Sequence, residues 1–175
     1  MLTIISAAII VASVILIFKG LIFLHDKAEK KTSAAFKAYY DHVLTKHNLT
    51  VTQPEILKNF ILGLDEICNK LLIVQPVETE KYKWQIIDLD NVKNCFVIKD
   101  YKSFYSNDPK EKATERFVDQ INLHFEFIEE KEPVKINFYT NILHHISDMP
   151  LLEQRAQKWE GVISAMKMKK LKRIA

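Results

Sequence analysis

The sequence predicts an α+β protein: an N-terminal transmembrane helix and a stalk helix, then a mostly antiparallel sheet or barrel closed by one C-terminal amphipathic helix. Three observations carry that prediction. Residues 1–18, MLTIISAAIIVASVILIF, hold no charged side chain, and the apolar run resumes after Lys19-Gly20 through Leu24. From Phe60 to Thr140, apolar and polar residues alternate in short runs at the period of two that half-buried strands require. Leu152, Ala156, Trp159, Ile163 and Met166 then recur at spacings of three and four, the stripe of a surface helix.

A helix from Leu2 to Leu24 would be about 34 Å long at about 1.5 Å per residue, enough to cross a hydrocarbon core of about 30 Å. In lipid only a helix satisfies the backbone of a single span. Nothing basic precedes the run except the α-amino group, whereas Lys19, Lys27, Lys30, Lys31 and Lys37 follow it, against Asp26 and Glu29. The positive-inside rule then places the N-terminus outside and the rest of the chain in the cytoplasm, as a single-pass protein of the inner (plasma) membrane. Lys19 can snorkel its ammonium to the headgroups. A cleaved signal peptide needs a basic n-region and a small-residue cleavage site, and Phe23-Leu24-His25-Asp26 supplies a poor one. That signal peptide and a buried soluble helix are the alternatives. Ser6-Ala7-Ala8 and Ala12-Ser13 offer small residues for helix contact, without a GxxxG.

The remaining chain, about 150 residues, is long enough for one domain with a real core. With 3 glycines and 5 prolines in 175 residues, long disordered linkers are not expected. The net charge of +3 hides an asymmetry. Lys167, Lys169, Lys170, Lys172 and Arg173 crowd the tail 167–175 with no acid among them, and the rest of the chain is slightly acidic. That balance excludes a basic nucleic-acid-binding body. Cys68 and Cys95 lie far apart in apolar surroundings without a CxxC, the usage of buried thiols in a reducing compartment.

Taken in order, residues 1–24 form the anchor and residues 25–59 a stalk with connecting helices. In Asp26–Lys46 the residues Phe36, Tyr40 and Val43-Leu44 give one apolar helical face. Thr52-Gln53-Pro54-Glu55 has the form of a capping box and predicts a short helix or turn. The sheet domain occupies 60–166. FILGLD and KLLIVQPV are strands joined by a hairpin loop ending in Asn69. YKWQIIDL and CFVIKDYKSFY follow, then a polar excursion over Ser106–Arg116. DQINLHFEFIEE alternates with Ile121, Leu123, Phe125 and Phe127 inward and Asn122, His124 and Glu126 outward, toward solvent. VKINFYT is the last strand, and Asp148 with Pro150 opens the final helix, whose Trp159 is positioned as a structural plug for the barrel end.

The strand series closed by one Trp-bearing helix resembles the pleckstrin-homology-like (PH/GRAM-like) superfold. The local pattern is similar to that of small membrane-anchored Bacteroidetes proteins of unknown function. The residues that carry the resemblance are FILGLDEICNKLLIV, WQIIDLDNVKNCFV, INFYT and Trp159, over Phe60–Met166. The resemblance implies a module for lipid binding, peptide binding or scaffolding. Phosphoinositide-binding members place basic residues in the first hairpin loop; here that loop reads Asp65-Glu66-Ile67-Cys68-Asn69-Lys70, which speaks against such recognition.

No catalytic constellation emerges. There is no GxSxG, Walker loop or GxGxxG. His144-His145 lacks a third ligand at metal spacing, His42 and His47 are weaker still, and Asp88, Asp90, Glu129, Glu130 and Glu132 read as solvated turn residues. Asn48-Leu49-Thr50 matches a glycosylation sequon by coincidence. No catalytic residue, cofactor or metal is therefore expected, and the protein is expected not to be an enzyme. The expected function is a cytoplasmic binding or scaffolding module that meets a protein partner at an exposed strand edge or the groove beside the last helix. The bilayer is the expected partner of residues 1–24. Lys19, Lys27, Lys30, Lys31 and the five tail cations are candidate contacts to anionic lipid headgroups. Nucleic acid is not expected. Two other classes remain open: a small-molecule or enzymatic pocket in the sheet, and an extracytoplasmic anchored domain, which a Cys68–Cys95 disulfide would mark.

Overall fold

Apolar residues spaced by three and four draw residues 33–46 into helix α1, whose Phe36, Tyr40 and Val43 are buried. The structure, a computed structural model, describes residues 33–78, 81–104, 115–129 and 131–174. Helix α1 ends where Asn48 takes a left-handed conformation (φ 51°). There Leu49 N–H bonds the Leu44 carbonyl (3.0 Å) and Asn48 N–H the Thr45 carbonyl (3.3 Å), satisfying carbonyls that a helix end leaves open. Buried Leu49 completes this stop.

Among the described residues seven strands follow: β1 (Glu55–Ile56), β2 (Ile61–Asp65), β3 (Lys70–Glu78), β4 (Lys81–Asp88), β5 (Val92–Phe104), β6 (Glu115–Phe127) and β7 (Val134–Thr140). Helix α2 (Met149–Ile174) closes the chain. The strands form a four-stranded sheet in the order β1-β2-β3-β4 and a three-stranded sheet in the order β5-β6-β7. The β1–β2, β5–β6 and β6–β7 pairs are antiparallel, with bulges between Asp100 and Tyr101 and between Ile121 and Asn122.

The described residues divide into two compact units, one running up to Leu49 and including Val74–Trp84, the other combining Thr50–Ile73 with Gln85 onward. In the first, Tyr82 and Trp84 alternate onto one face of β4 and receive α1. Phe36 stacks on Tyr82 at 5.1 Å, Tyr39 tilts against it at 5.0 Å, and the His47 ring lies 4.5 Å from Trp84.

The second unit holds the main core. Phe60, Leu62 and Leu64 of β2 and its approach, Leu71 and Ile73 of β3, and Ile121, Leu123 and Phe125 of β6 pack with Ile136 and Phe138 of β7. Leu152, Ala156, Trp159 and Ile163 of α2 complete the cluster, so the helix buries the stripe its spacing predicts. The β2–β3 turn is held by Asp65. Its buried carboxylate accepts backbone N–H groups of Thr50 (2.7 Å), Ile67 (2.9 Å) and Cys68 (2.8 Å). Burial alone would raise its pKa, but these amides outweigh burial and hold the carboxyl below its ordinary value. Asn69 closes the turn at φ 53°, a conformation Asn tolerates.

Several expectations are corrected. No helix among the described residues is long and apolar enough to cross a membrane, so the transmembrane-helix fold class and the single-pass, N-out placement in the inner membrane are not supported. Helix α2 has the length, at 26 residues, but Glu153, Arg155, Lys158 and Glu160 would put charges into hydrocarbon. The segment 1–24, its bilayer contact, and Lys19, Lys27, Lys30 and Lys31 lie outside the described residues. The barrel is also corrected: among the described residues no strand pairing joins the two sheets, and β1, with two residues, is too short to bridge them. Trp159 therefore anchors α2 to the core rather than plugging a barrel end.

The capping box at Thr52–Glu55 forms no helix. Pro54 pushes its neighbour into extended backbone, Glu55 and Ile56 pair with Leu62 and Ile61, and Leu57 N–H bonds the Phe60 carbonyl at 2.9 Å. Cys68 is exposed in the turn rather than buried in a strand. Asn122 and His124 are buried, not solvated, because β6 is the central strand and both neighbours crowd its outer face. Asn122 donates to Asp100 (2.9 Å) and Gln120 (3.3 Å) and accepts from Asn137 (3.0 Å), while the His124 ring lies 5.1 Å from Phe96.

Candidate protein-binding surface

The chain between β7 and α2 reads Asn-Ile-Leu-His-His-Ile-Ser-Asp-Met-Pro-Leu over 141–151, with Asp148 its only charged side chain. It folds as a turn followed by a short 3-10 segment, Ile146–Asp148. Backbone bonds set the first turn: Leu143 N–H (3.2 Å) and His144 N–H (3.0 Å) both reach the Thr140 carbonyl, and Asn141 N–H the Asp119 carbonyl (3.0 Å). The histidines brace it. His144 Nδ1 accepts Thr140 N–H at 3.2 Å and its ring stacks 5.8 Å from Tyr139. His145 Nδ1 accepts Ser147 N–H at 3.3 Å and lies 2.9 Å from Ser147 Oγ, capping the 3-10 segment. An Nδ1 that accepts an N–H leaves the proton of the neutral ring on Nε2.

This bracing turns aliphatic side chains outward. Ile142 is 82 % exposed, Ile146 67 %, Leu143 61 % and Leu151 53 %. Other exposed large apolar residues, such as Ile67, Val77 and Ile128, are scattered along the chain. Scattered ones are ordinary, whereas a run of aliphatics with little charge has the composition of an interface centre. Sequence reading missed this surface. The signal was present: four aliphatics in a segment without a period and with a single charge.

A hollow lies beside the last helix, where the sequence places a docking groove. It has a volume of about 230 Å3, with Thr52, Gln53, Pro54, Glu55 and Glu66 opposite Lys158, Trp159 and Val162 of α2, and Arg155 and Glu55 pair beside it at 3.2 Å. A second hollow of about 240 Å3 lies among Gln85–Asp88, Asn91, Phe127, Lys131, Glu132 and Val134.

Of the tail cations, Lys167 donates to the Lys93 carbonyl, while Lys169, Lys170, Lys172 and Arg173 lie on the last turns of α2. Lys167 is thus committed to the fold. Cys68 and Cys95 are free thiols, and neither shares in the surface. Burial, with the Glu160 charge, pushes the Cys95 thiol up to about 12, only partly countered by Lys167. No group of three or more His, Cys, Asp or Glu that could hold a metal occurs among the described residues. No family model matches this chain, and neither a curated protein nor a solved structure is significantly similar to it.

Proposed function

We propose that this chain is a non-enzymatic binding or scaffolding module that engages a protein partner through the surface at Ile142, Leu143, Ile146 and Leu151. One observation carries the reading: these four aliphatics, more than half exposed, lie within ten residues that hold a single charge. Burying such side chains is favourable at roughly 25 cal/mol per Å2, and water is their least favourable neighbour. Among the described residues, seven strands followed by a C-terminal helix are in keeping with the resemblance to the pleckstrin-homology-like superfold, which implies lipid binding, peptide binding or scaffolding.

Site-specific photocrosslinking in cells that make the protein tests this. A photoreactive residue at Ile142 should give a discrete adduct with another protein, and Leu143→Asp should abolish it. The same residue placed at Glu66 should give none. An absent adduct, or one indifferent to Leu143→Asp, overturns the proposal. An adduct of twice the chain's own mass makes the occupant a second copy and overturns the scaffolding role.

A further inference from the structure

Strand β5 is 13 residues long and stands at the edge of its sheet, paired only with β6 among the described residues. A long edge of this kind carries backbone N–H and C=O groups without ladder partners and is a template for another strand. Helix α2 meets that edge with three side chains spaced by seven. Glu153 Oε1 lies 2.7 Å from Lys99 Nζ, Glu160 Oε2 accepts Val97 N–H at 3.2 Å, and Lys167 Nζ donates to the Lys93 carbonyl.

Seven residues are about two helical turns, roughly 10.5 Å of rise, so the three side chains lie along one line of the helix. As the helix numbers rise the strand numbers fall, and α2 runs antiparallel to β5. A carboxylate only accepts and an ammonium only donates. Glu160 and Lys167 each face a main-chain group of the opposite kind, supplying what a neighbouring strand would supply. The Glu153 pairing, which raises the Lys99 pKa, fixes a cation on the same strand.

We propose that the stripe Glu153–Glu160–Lys167 seals the edge of β5 against a second copy of this chain. With the stripe removed, β5 pairs with β5 of another copy about a two-fold axis. The occupant follows from geometry: an antiparallel edge is self-complementary under a two-fold, because its rows of donors and acceptors match those of its own copy. The inference is independent of the surface at Ile142–Leu151.

The test compares the full chain as wild type, Glu160→Ala/Lys167→Ala and Glu160→Gln. Alanine is the best helix former and both replaced side chains are part-exposed, so α2 is retained. Mass is followed against concentration by light scattering, and hydrogen exchange is followed over residues 93–99. The double variant should show a dimer dissociation constant at least about tenfold below wild type, about 1.4 kcal/mol. Exchange over 93–99 should slow as its concentration rises. Glu160→Gln, whose amide oxygen still accepts Val97 N–H, should match wild type. A double variant with the wild-type mass at every concentration overturns the proposal. So does association that leaves exchange over 93–99 unchanged. Should the double variant fail to fold, Lys167→Met alone, which frees the Lys93 carbonyl, carries the same expectation and the same refutation.

Discussion

Asp65 offers the sharpest energetic test, because one carboxylate organises the β2–β3 turn. It is 1 % exposed and accepts three backbone amides at 2.7–2.9 Å. A hydrogen bond to a charged group contributes about 1.5–3 kcal/mol. Thr50, Ile67 and Cys68 are themselves exposed, so in Asp65→Ala water reaches part of what the carboxylate leaves behind. The loss should then be nearer one strong bond than three, about 3 kcal/mol, or a melting temperature lower by about 6–12 °C for a chain of this size. Urea unfolding should show a lower midpoint with an unchanged m-value. The sign with pH is definite. A carboxyl held below its ordinary 3.8 in the folded state stabilises above that value, and the contribution is lost as pH falls through the lower folded value. Asp65→Asn keeps the shape and two acceptor lone pairs, so it should recover part of the loss but not the acid slope. A shift under about 0.5 kcal/mol in Asp65→Ala, or an unchanged acid slope in Asp65→Asn, would refute the reasoning.

Asn48→Gly should stabilise by about 0.5–1 kcal/mol, since glycine adopts the left-handed stop of α1 without a Cβ penalty; a lower denaturation midpoint would contradict that geometry. The Tyr40 hydroxyl is buried without a hydrogen-bond partner among the described residues, so Tyr40→Phe should raise stability by about 1 kcal/mol in the same assay, and a loss would reveal an acceptor or water at that oxygen. Burial, with the Asp41 charge beside it, pushes the Tyr40 phenol well above its ordinary range, so absorbance should show it ionising only as the protein unfolds in alkali. Aromatic-disulfide titration of the native protein at pH 8 should modify Cys68 quickly and Cys95 only on unfolding; two equally fast thiols would contradict the packing of β5. The neutral Cys95 thiol also contributes stability that is complete below about 9 and is lost as pH climbs toward about 12.

Periodicity made much of this molecule legible. The spacing of Leu152, Ala156, Trp159 and Ile163 located the buried stripe of α2, and VKINFYT marked β7 to the residue. What failed was whatever depends on partners distant in sequence. Alternation told that His124 and Ile121 face opposite sides of β6, but not that β5 and β7 crowd both sides. Thr52-Gln53-Pro54-Glu55 suits a helix start or an edge strand equally, and only pairing with Ile61–Leu62 decides between them. Seven strands look alike whether they close a barrel or divide four and three. The surface at Ile142–Leu151 has no period of two or 3.6 to mark it, and nothing local to the sequence shows that the ring nitrogens of its two histidines hold up the turn.

On the proposed reading, the two braced imidazoles also bear on how a partner would be met. A loop whose backbone is pinned before its partner arrives surrenders little freedom on docking. Ordering a rotamer-rich interface side chain costs about 0.5–1.5 kcal/mol, and Ile and Leu have few rotamers to lose. Encounter should therefore be limited by orientation rather than by a folding step, with association near the ordinary 10⁵–10⁷ per molar per second. Discrimination among partners would then rest on the contour of four aliphatic side chains and appear in how long a complex lasts.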